Sequence, residues 1–424
     1  MPAERIDGLA AVLEAIRLGN GISQPQLTRQ VALGRSVIAQ RVAELESVGL
    51  VVQDGLGPST GGRAPRRLRL RAEAGLIIGV DTGATGMTLG VADLSGAVLA
   101  QAAEPIDIAA GPDPVLARIE ELVDELLGRV SSRAPVWGIG IGVPGPVEFA
   151  TGLPVAPPIM PGWDGYPIRN RLSGRLAAPT WVDNDVNLRV LGELRSNPAA
   201  AAVQDMLYVK IGTGIGAGLV SGGRPHRGAN GCAGDIGHVA VAGAENVICR
   251  CGNVGCLEAV AGGAALARDA RQLAESGGSP IMAGMLAAQG HLTAADVTAA
   301  AGRGDPAARA MLARAGRLVG DTLATLVSFY NPGLVVLGGG VVAAGDFVLA
   351  AIRESVHRRS LPLATRTLRI EPSYRGDTAA GLAGAVHLVL DSLFSPERLA
   401  LWLPHASPAG RPEVAVATGP GAAA

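Results

Sequence analysis

The sequence predicts a chain of two unlike parts: a short helical unit closed by a β-hairpin, then a long α/β region. Three observations carry this. Apolar residues recur at helical spacing in three short stretches before residue 50, two short strand-like runs with glycines between them follow, and from Leu76 onward buried strands, glycine loops and amphipathic helices alternate. A chain of 424 residues has room for two to four domains, at about 100–200 residues each. With 48% hydrophobic and 17% charged residues it can bury several cores, which excludes global disorder. Its 60 glycines and 28 prolines fall below the low-complexity range of about 25–30%, so they belong to turns and ligand loops.

In the first part, Ile6, Leu9, Leu13 and Ile16 form one helical stripe that ends at Gly19-Asn20-Gly21. A second helix opens at Ser23 as N-cap, with Pro25 in its first turn and Leu27 and Val31 inward. A third places Ile38, Val42 and Leu45 on one face and Arg35, Ser36, Val37, Gln40 and Arg41 on the other. This spacing predicts a helix-turn-helix whose third helix enters the DNA major groove. Leu50-Val51-Val52 and the period-two run Arg67 to Arg71 predict a hairpin wing, with Arg63, Arg66 and Arg67 clustered at its tip for phosphate or minor-groove contact. Residues 1–75 hold ten Arg and seven acids, so a net +3 region precedes a −4 remainder. Phe, Trp and Tyr number four each, too few for the stacking platforms of single-strand binders. Double-stranded DNA is the expected nucleic-acid partner.

In the second part, the strand Leu76 to Val80 runs into the turn Asp81 to Thr85, and the strand Thr88 to Ala92 returns. An amphipathic helix at Pro114 to Val130 and a strand at Val136 to Val143 follow. The strand Met206 to Ile211 runs into Gly212-Thr213-Gly214, and the strand Leu334 to Leu337 ends in Gly338-Gly339. Three glycine loops after buried strands predict a nucleotide cleft between two lobes, with Asp81, Gly83, Thr85, Gly212, Thr213, Gly214, Gly338 and Gly339 as its backbone and polar contacts. Asp183-Asn184-Asp185 has two readings. An amide beside a carboxylate suits sugar hydroxyls, with Asp185 as general base for phosphoryl transfer, and the same residues suit a capped helix start.

His238, Cys249, Cys251 and Cys256 read H-x10-C-x-C-x4-C, a donor set that fills a tetrahedral zinc site and so points to a structural ion. Cys232 is expected to be a small buried residue. Four cysteines in a chain of this length fit a reducing, cytoplasmic setting. The longest uncharged stretch, Thr322 to Gly345, is broken at Asn331-Pro332-Gly333, so no membrane span is expected.

These motifs resemble the ROK proteins, bacterial sugar kinases and sugar-responsive repressors. The stretch Ile211 to His238 resembles the family signature and Cys249 to Glu258 its zinc motif, while the leading helix-turn-helix resembles the repressor branch. The resemblance implies an actin-like, two-lobed fold, a sugar held by Asn184, Asp185, His238 and Glu258 with Asp235 at the family's sugar-site Glu position, and Asp185 at the kinase base. Asp235 is one methylene shorter than that Glu, which implies an altered sugar preference or a water-bridged contact. Ala84 and Gly86 depart from the kinases' first phosphate loop, and an added Cβ at 84 obstructs backbone approach to phosphate.

The expected organisation is a winged helix-turn-helix at 1–72 and a ROK domain at 73–395. Its lobes span about 73–190 plus a C-terminal helix, and 191–371. A tail at 396–424 is expected to be disordered. The expected function is a sugar-responsive repressor acting as a homodimer or tetramer. The alternative is a sugar kinase using ATP and Mg2+ with an appended DNA unit, and an activator is not distinguishable from a repressor at this level.

Overall fold

The structure, a computed structural model, describes residues 3–19, 21–57, 65–343 and 346–416. The N-terminal unit comprises α1 (Ala3–Gly19), β1 (Ile22–Ser23), α2 (Gln24–Gln30), α3 (Arg35–Ser47), β2 (Val51–Leu56) and β3 (Arg66–Leu70). Ile6, Leu9, Leu13 and Ile16 meet Leu27, Ile38, Val42 and Leu45 in one buried cluster. Ser23 starts α2 because Gln26 Oε1 accepts from both its backbone N–H at 2.9 Å and its hydroxyl at 2.7 Å. The three strands pair antiparallel in the order β1-β3-β2, with Ile22 opposite Leu68 and Val51 opposite Leu70.

Two expectations for this unit are corrected. Arg67 lies inside β3 rather than at the hairpin tip, where its Nε donates to the Gly21 carbonyl at 2.9 Å. Arg41 is not on the outward face of α3: its side chain is 11% exposed, lies against Gly8 and sits 3.8 Å from Glu44. Its Nε lies over Gly8 of α1, where a Cβ would meet it at 3.4 Å. Arg63, with Gly61 and Gly62, lies outside the described residues.

The α/β region begins with β4 (Leu76–Thr82), β5 (Gly86–Asp93), β6 (Val98–Pro105), α4 (Pro112–Arg129), β7 (Val136–Val143), β8 (Val147–Glu148), β9 (Leu153–Pro154), α5 (Ile168–Leu176) and β10 (Thr180–Asn184). Its sheet runs β10-β7-β4-β5-β6, parallel across β10, β7 and β4 and antiparallel at the β5 and β6 edge. The edge strand β6, half exposed along its length, carries too few large apolar residues to stand out in the sequence. Next come α6 (Asp185–Ser196) and α7 (Pro198–Ala201), and then β11 (Met206–Ile211), β12 (Ile215–Ser221) and β13 (Arg224–His226). Five helices follow: α8 (Leu257–Ala261), α9 (Gly263–Glu275), α10 (Pro280–Gln289), α11 (Ala294–Gly302) and α12 (Pro306–Tyr330). The lobe is completed by β14 (Leu334–Gly338), α13 (Gly340–Ala343), α14 (Asp346–Arg359), α15 (Pro362–Thr365) and β15 (Arg369–Pro372), in a sheet ordered β13-β12-β11-β14-β15. Asn331, in the left-handed region at φ 53°, ends α12 and turns the chain into β14.

The chain then returns to the first lobe as α16 (Asp377–Leu393), which packs along α6. The two backbones approach so closely that a Cβ on Gly192 would lie 1.9 Å from the Ala380 carbonyl oxygen, and one on Gly384 1.7 Å from that of Leu188. Only glycine fits there. Among the described residues no single helix is long and apolar enough to cross a membrane.

The expected disordered tail is also corrected. Residues 396–416 fold, through α17 (Pro396–Trp402) and two short 3-10 turns at Leu403–His405 and Pro412–Ala415. Trp402 is fully buried, edge-on to Trp137 at 5.3 Å, and its indole N–H donates to the Leu393 carbonyl at 2.8 Å. Leu399, Leu403 and Val414 join the same cluster, which is continuous with the core of the N-terminal unit. Enough apolar surface is buried to order a segment whose composition is otherwise linker-like. Arg17 of α1 also reaches Asp391 of α16 at 3.0 Å, so the N-terminal unit rests directly on α16 and α17.

Candidate functional site

A cavity of about 140 Å³ opens between the lobes. It is lined by the α6 start, Lys210 near the end of β11, Gly214 with the first residues of β12, the loop 231–235, His238 and Glu258. All five residues expected to hold a sugar, Asn184, Asp185, Asp235, His238 and Glu258, line this one cavity, beside Ala84 of the first glycine loop. Cys232 is exposed at its mouth, not buried, because it rides on the glycine-rich loop that forms that wall.

Local geometry explains the α6 corner. β10 ends at Asn184, whose side-chain oxygen accepts from the Val186 N–H at 2.8 Å and whose amide donates to the Gly145 carbonyl at 2.9 Å. The capped-helix reading therefore describes Asn184, and it also sets Asp185 at the positive end of α6. Asp183, one residue earlier, faces elsewhere: it accepts from Asn187 at 2.8 Å and pairs with Arg227 at 2.7 Å.

Asp185 is not a free carboxylate. Lys210 Nζ sits against its Oδ2, and Arg189, one turn along α6, lies 3.5 Å away. Arg189 in turn donates two hydrogen bonds to Asp81, at 3.0 and 2.9 Å. Its Nε is 2.9 Å from Asp377 Oδ1, at an angle that makes this an ion contact rather than a hydrogen bond. Burial opposes the Arg189 charge, but Asp81, Asp377 and Asp185 together hold it well above the usual guanidinium value. Burial likewise opposes the Asp377 charge, and Arg189 and Lys210 outweigh it, keeping that carboxyl below the usual range. Two internal cations thus occupy the acids that a phosphoryl-transfer site needs for a base and a metal ion.

The other nucleotide-loop residues are not brought to this cavity, Gly214 excepted. Thr85 is exposed, its carbonyl accepting from the Ile106 N–H at 3.1 Å. The Gly212 and Thr213 carbonyls accept from the first N–H groups of α9, at 2.8 and 3.0 Å, so this loop caps a helix. Gly338 is required by packing, since a Cβ there would lie 2.0 Å from the Tyr208 hydroxyl. Gly83 closes the β4 to β5 turn through a 2.7 Å bond from its N–H to Gly86.

On the second lobe the metal candidates converge. The ligand atoms of His238, Cys249, Cys251 and Cys256 all lie within 4.8 Å of one another. Cys249 Sγ is 3.7 Å from His238 Nδ1, and the Cys251 and Cys256 sulfurs are 3.7 Å apart. A tetrahedron with zinc–sulfur bonds of about 2.3 Å has edges of about 3.8 Å, so the donor set fits that ion. His238 Nε2 faces the other way, 3.9 Å from Asp235 Oδ1 at the cavity. Glu258 bridges the two sites, with Oε1 accepting from Cys249 Sγ at 3.5 Å and Oε2 from the Ile215 N–H at 3.5 Å. Burial pushes the Cys249 thiol up to about 12, whereas the Asn253 backbone N–H lowers that of Cys251.

On the N-terminal unit, Arg35, Ser36 and Gln40 are exposed along α3 and Val37 is half-buried beside them. Arg66 is exposed on β3 and donates to Gln53 at 2.7 Å. Sequence reasoning missed Arg189 and Arg227, whose partners lie on distant segments. Lys210 carried a visible signal, being the only lysine in the chain.

The chain is similar to the xylose repressor of Caldicellulosiruptor bescii, at 29% identity over 387 residues, 91% of this chain and 96% of that one. In solved structures it is similar to a ROK family transcriptional regulator described as a homologue of the E. coli MLC protein. The TM-score is 0.78 at 25% identity, covering 93% of this chain and 98% of that one. It is also similar to a ROK family glucokinase from Streptomyces griseus solved with glucose and AMPPNP, with a TM-score of 0.64 at 30% identity over 74% of this chain and 99% of that one. The sequence profile described as ROK family matches residues 77–392, three quarters of the chain, and the chain belongs to the ROK family.

Proposed function

We propose that this chain is a sugar-responsive transcriptional repressor. The N-terminal unit is its winged helix-turn-helix, α3 reads operator DNA through Arg35, Ser36, Val37 and Gln40, and Arg63 and Arg66 of the wing contact the backbone. The interlobe cavity binds a sugar through Asn184, Asp185, Asp235, His238 and Glu258. A structural Zn2+ on His238, Cys249, Cys251 and Cys256 supports the second wall. The observation that carries the reading is α6 itself. Its first residue, Asp185, lines the cavity, and its length packs on α16, against which α1 of the N-terminal unit rests. A ligand with unequal affinity for two lobe arrangements would thereby move the DNA unit. In a homodimer or tetramer that movement alters half-site spacing.

The test is binding of the full chain to DNA from upstream of its own gene, with and without a panel of sugars. Xylose comes first because related repressors are named for it. Sugar-dependent release supports the reading, and DNA binding indifferent to every sugar overturns it. Replacing Arg66 by Ala is expected to weaken binding across DNA sequences and to reduce the salt slope by about one, whereas Arg35→Ala is expected to narrow the difference in affinity between operator and unrelated DNA. An unchanged slope in the first variant, or an unchanged affinity difference in the second, would remove that residue from the interface.

The kinase reading is favoured by the glucokinase similarity and by Asp185 in the cavity. The Lys210 and Arg189 pairings weigh against it. Incubation with ATP, Mg2+ and hexoses or N-acetylhexosamines is expected to yield no phosphorylated sugar. Turnover that Asp185→Asn abolishes would establish the enzyme instead.

A further inference from the structure

A second, larger recess lies where three bodies of the molecule meet. It is walled by α1 of the N-terminal unit, by both lobes and by the folded C-terminal segment, and has a volume of about 1480 Å³. Five arginines line it. Arg195 is neutralised by Asp391 at 2.7 Å, and Arg227 by Asp183 at 2.7 Å. The remaining three, Arg169, Arg224 and Arg398, have no carboxylate partner among the described residues.

Arg169 is only 6% exposed. Its two terminal nitrogens donate to the Ala150 and Phe149 carbonyls, at 3.1 and 3.4 Å, and its Nε is buried without a partner. Arg398 has one bond, from Nη1 to the Val414 carbonyl at 2.8 Å. Burial, and then the nearby charge of Arg398, hold Arg169 below the usual guanidinium value, and burial does the same to Arg398. The recess acids do not balance this. Glu14 and Asp391 are engaged by Arg17 and Arg195, while Asp7 and Glu397 are exposed and make no ion pair among the described residues, the charge of Glu397 offsetting only part of the effect of burial on Arg398. Buried charges in folded proteins are paired, because carbonyl dipoles offset only part of the lost hydration.

We infer that this recess is a second ligand site, for a small molecule bearing a phosphate group, which the Arg169, Arg224 and Arg398 guanidiniums bind as counter-ion. A guanidinium presents paired N–H donors that match two phosphate oxygens, and Arg224 and Arg398 carry such donors on the lining of the recess, with the buried charge of Arg169 behind them. Because α1 forms one wall, occupancy would bear directly on the DNA unit. That consequence rests on the repressor reading, but the binding itself does not.

The test is calorimetric titration of the full chain with inorganic phosphate and with glucose 6-phosphate at fixed ionic strength. Saturable binding at one site per chain is expected. It should weaken about tenfold or more in Arg398→Gln, which keeps a donor for the Val414 carbonyl, and in Arg224→Ala, an exposed position whose change leaves the fold intact. It should persist in Lys210→Ala, since Lys210 lines the first cavity. A tighter fit for glucose 6-phosphate identifies a phosphate ester as the ligand, and equal affinity identifies the phosphate group alone. The inference is overturned if neither probe gives saturable heat. It is equally overturned if binding survives both arginine changes but fails in Lys210→Ala. Failure here leaves sugar-dependent DNA release untouched, so the two readings fail separately.

Discussion

Replacing Cys249 by Ala, or stripping metal with a chelator, is expected to abolish ligand binding in the interlobe cavity while leaving both lobes folded. Residues 239–256 have little core of their own: Val239, Ile248 and Val254 are 48, 76 and 53% exposed, and regular pairing is limited to two isolated bridges, Ala240 with Cys256 and Ile248 with Val254. Four converging donors are the main element that could organise this stretch, and coordination energy then becomes local folding energy. His238 and Glu258 hang from its two ends, so losing the ion releases two cavity walls at once. At about 1.5–3 kcal/mol for each hydrogen bond to a charged group, the absence of both bonds weakens sugar binding about a hundredfold or more. The lobe cores, built on β11, β14 and α12 and on β4, β7 and α4, do not include this loop's exposed residues and should keep their secondary structure. The readouts are zinc per chain by elemental analysis, calorimetric sugar binding and far-ultraviolet dichroism. Each thiol must give up its proton to bind the metal, so zinc retention should fall as pH falls. Full zinc content or full sugar affinity in Cys249→Ala would remove the metal from this account.

What could be read from the sequence, and what could not, divides along the range of the interactions. The helices of the N-terminal unit were legible because Ile6, Leu9, Leu13 and Ile16 share one face of a single helix, and Ser23 with Gln26 is a local signal. The metal cluster was legible because three of its donors fall within eight residues. The residues expected to hold a sugar rested on family resemblance, and the cavity that collects them rests on the fold. Arg41 was misplaced because it flanks the apolar stripe, and only the position of α1 decides which way such a residue turns. The tail was misread because its Pro, Ala and Gly content masked Leu399, Trp402 and Val414, whose partner Trp137 lies far back in the chain. Arg189 left only the i,i+4 spacing to Asp185: in a sequence with one lysine an arginine is unremarkable, and its partner Asp81 is 108 residues away.

Arg189→Ala is accordingly expected to cost about 3–5 kcal/mol of stability, the range for removing one partner from a buried ion network. The guanidinium joins the end of β4 through Asp81, the start of α6 through Asp185 and the start of α16 through Asp377. Asp81 and Asp185 are 4 and 3% exposed, so without Arg189 only the Lys210 ammonium remains to balance three carboxylates. Arg189→Lys should not rescue the loss, because one ammonium cannot span Asp81 and Asp377 as a planar fork does. The two acids are shifted in opposite directions in the native chain, burial holding Asp81 above the usual carboxylate range despite Arg189 and Lys210, but loss of the guanidinium acts on both in the same sense. In the native chain Asp377 is held below the usual carboxylate range, so its contribution is present above its unfolded value and lost as pH falls through the folded one. In the variant the stranded carboxylates resist ionisation, and acid relieves them. The deficit measured by urea unfolding should therefore be largest near neutrality and shrink on acidification. With Lys210 left on Asp185, the carboxylates of Asp81 and Asp377 that lose the guanidinium also make a site for a hard divalent cation. Millimolar Mg2+ should restore part of the variant's stability by mass action, while the native chain, whose guanidinium fills that role, should not respond. A deficit below about 1 kcal/mol, typical of an exposed ion pair, or an equal Mg2+ response in both proteins, would show that Arg189 does not stand in for a metal ion in this cleft.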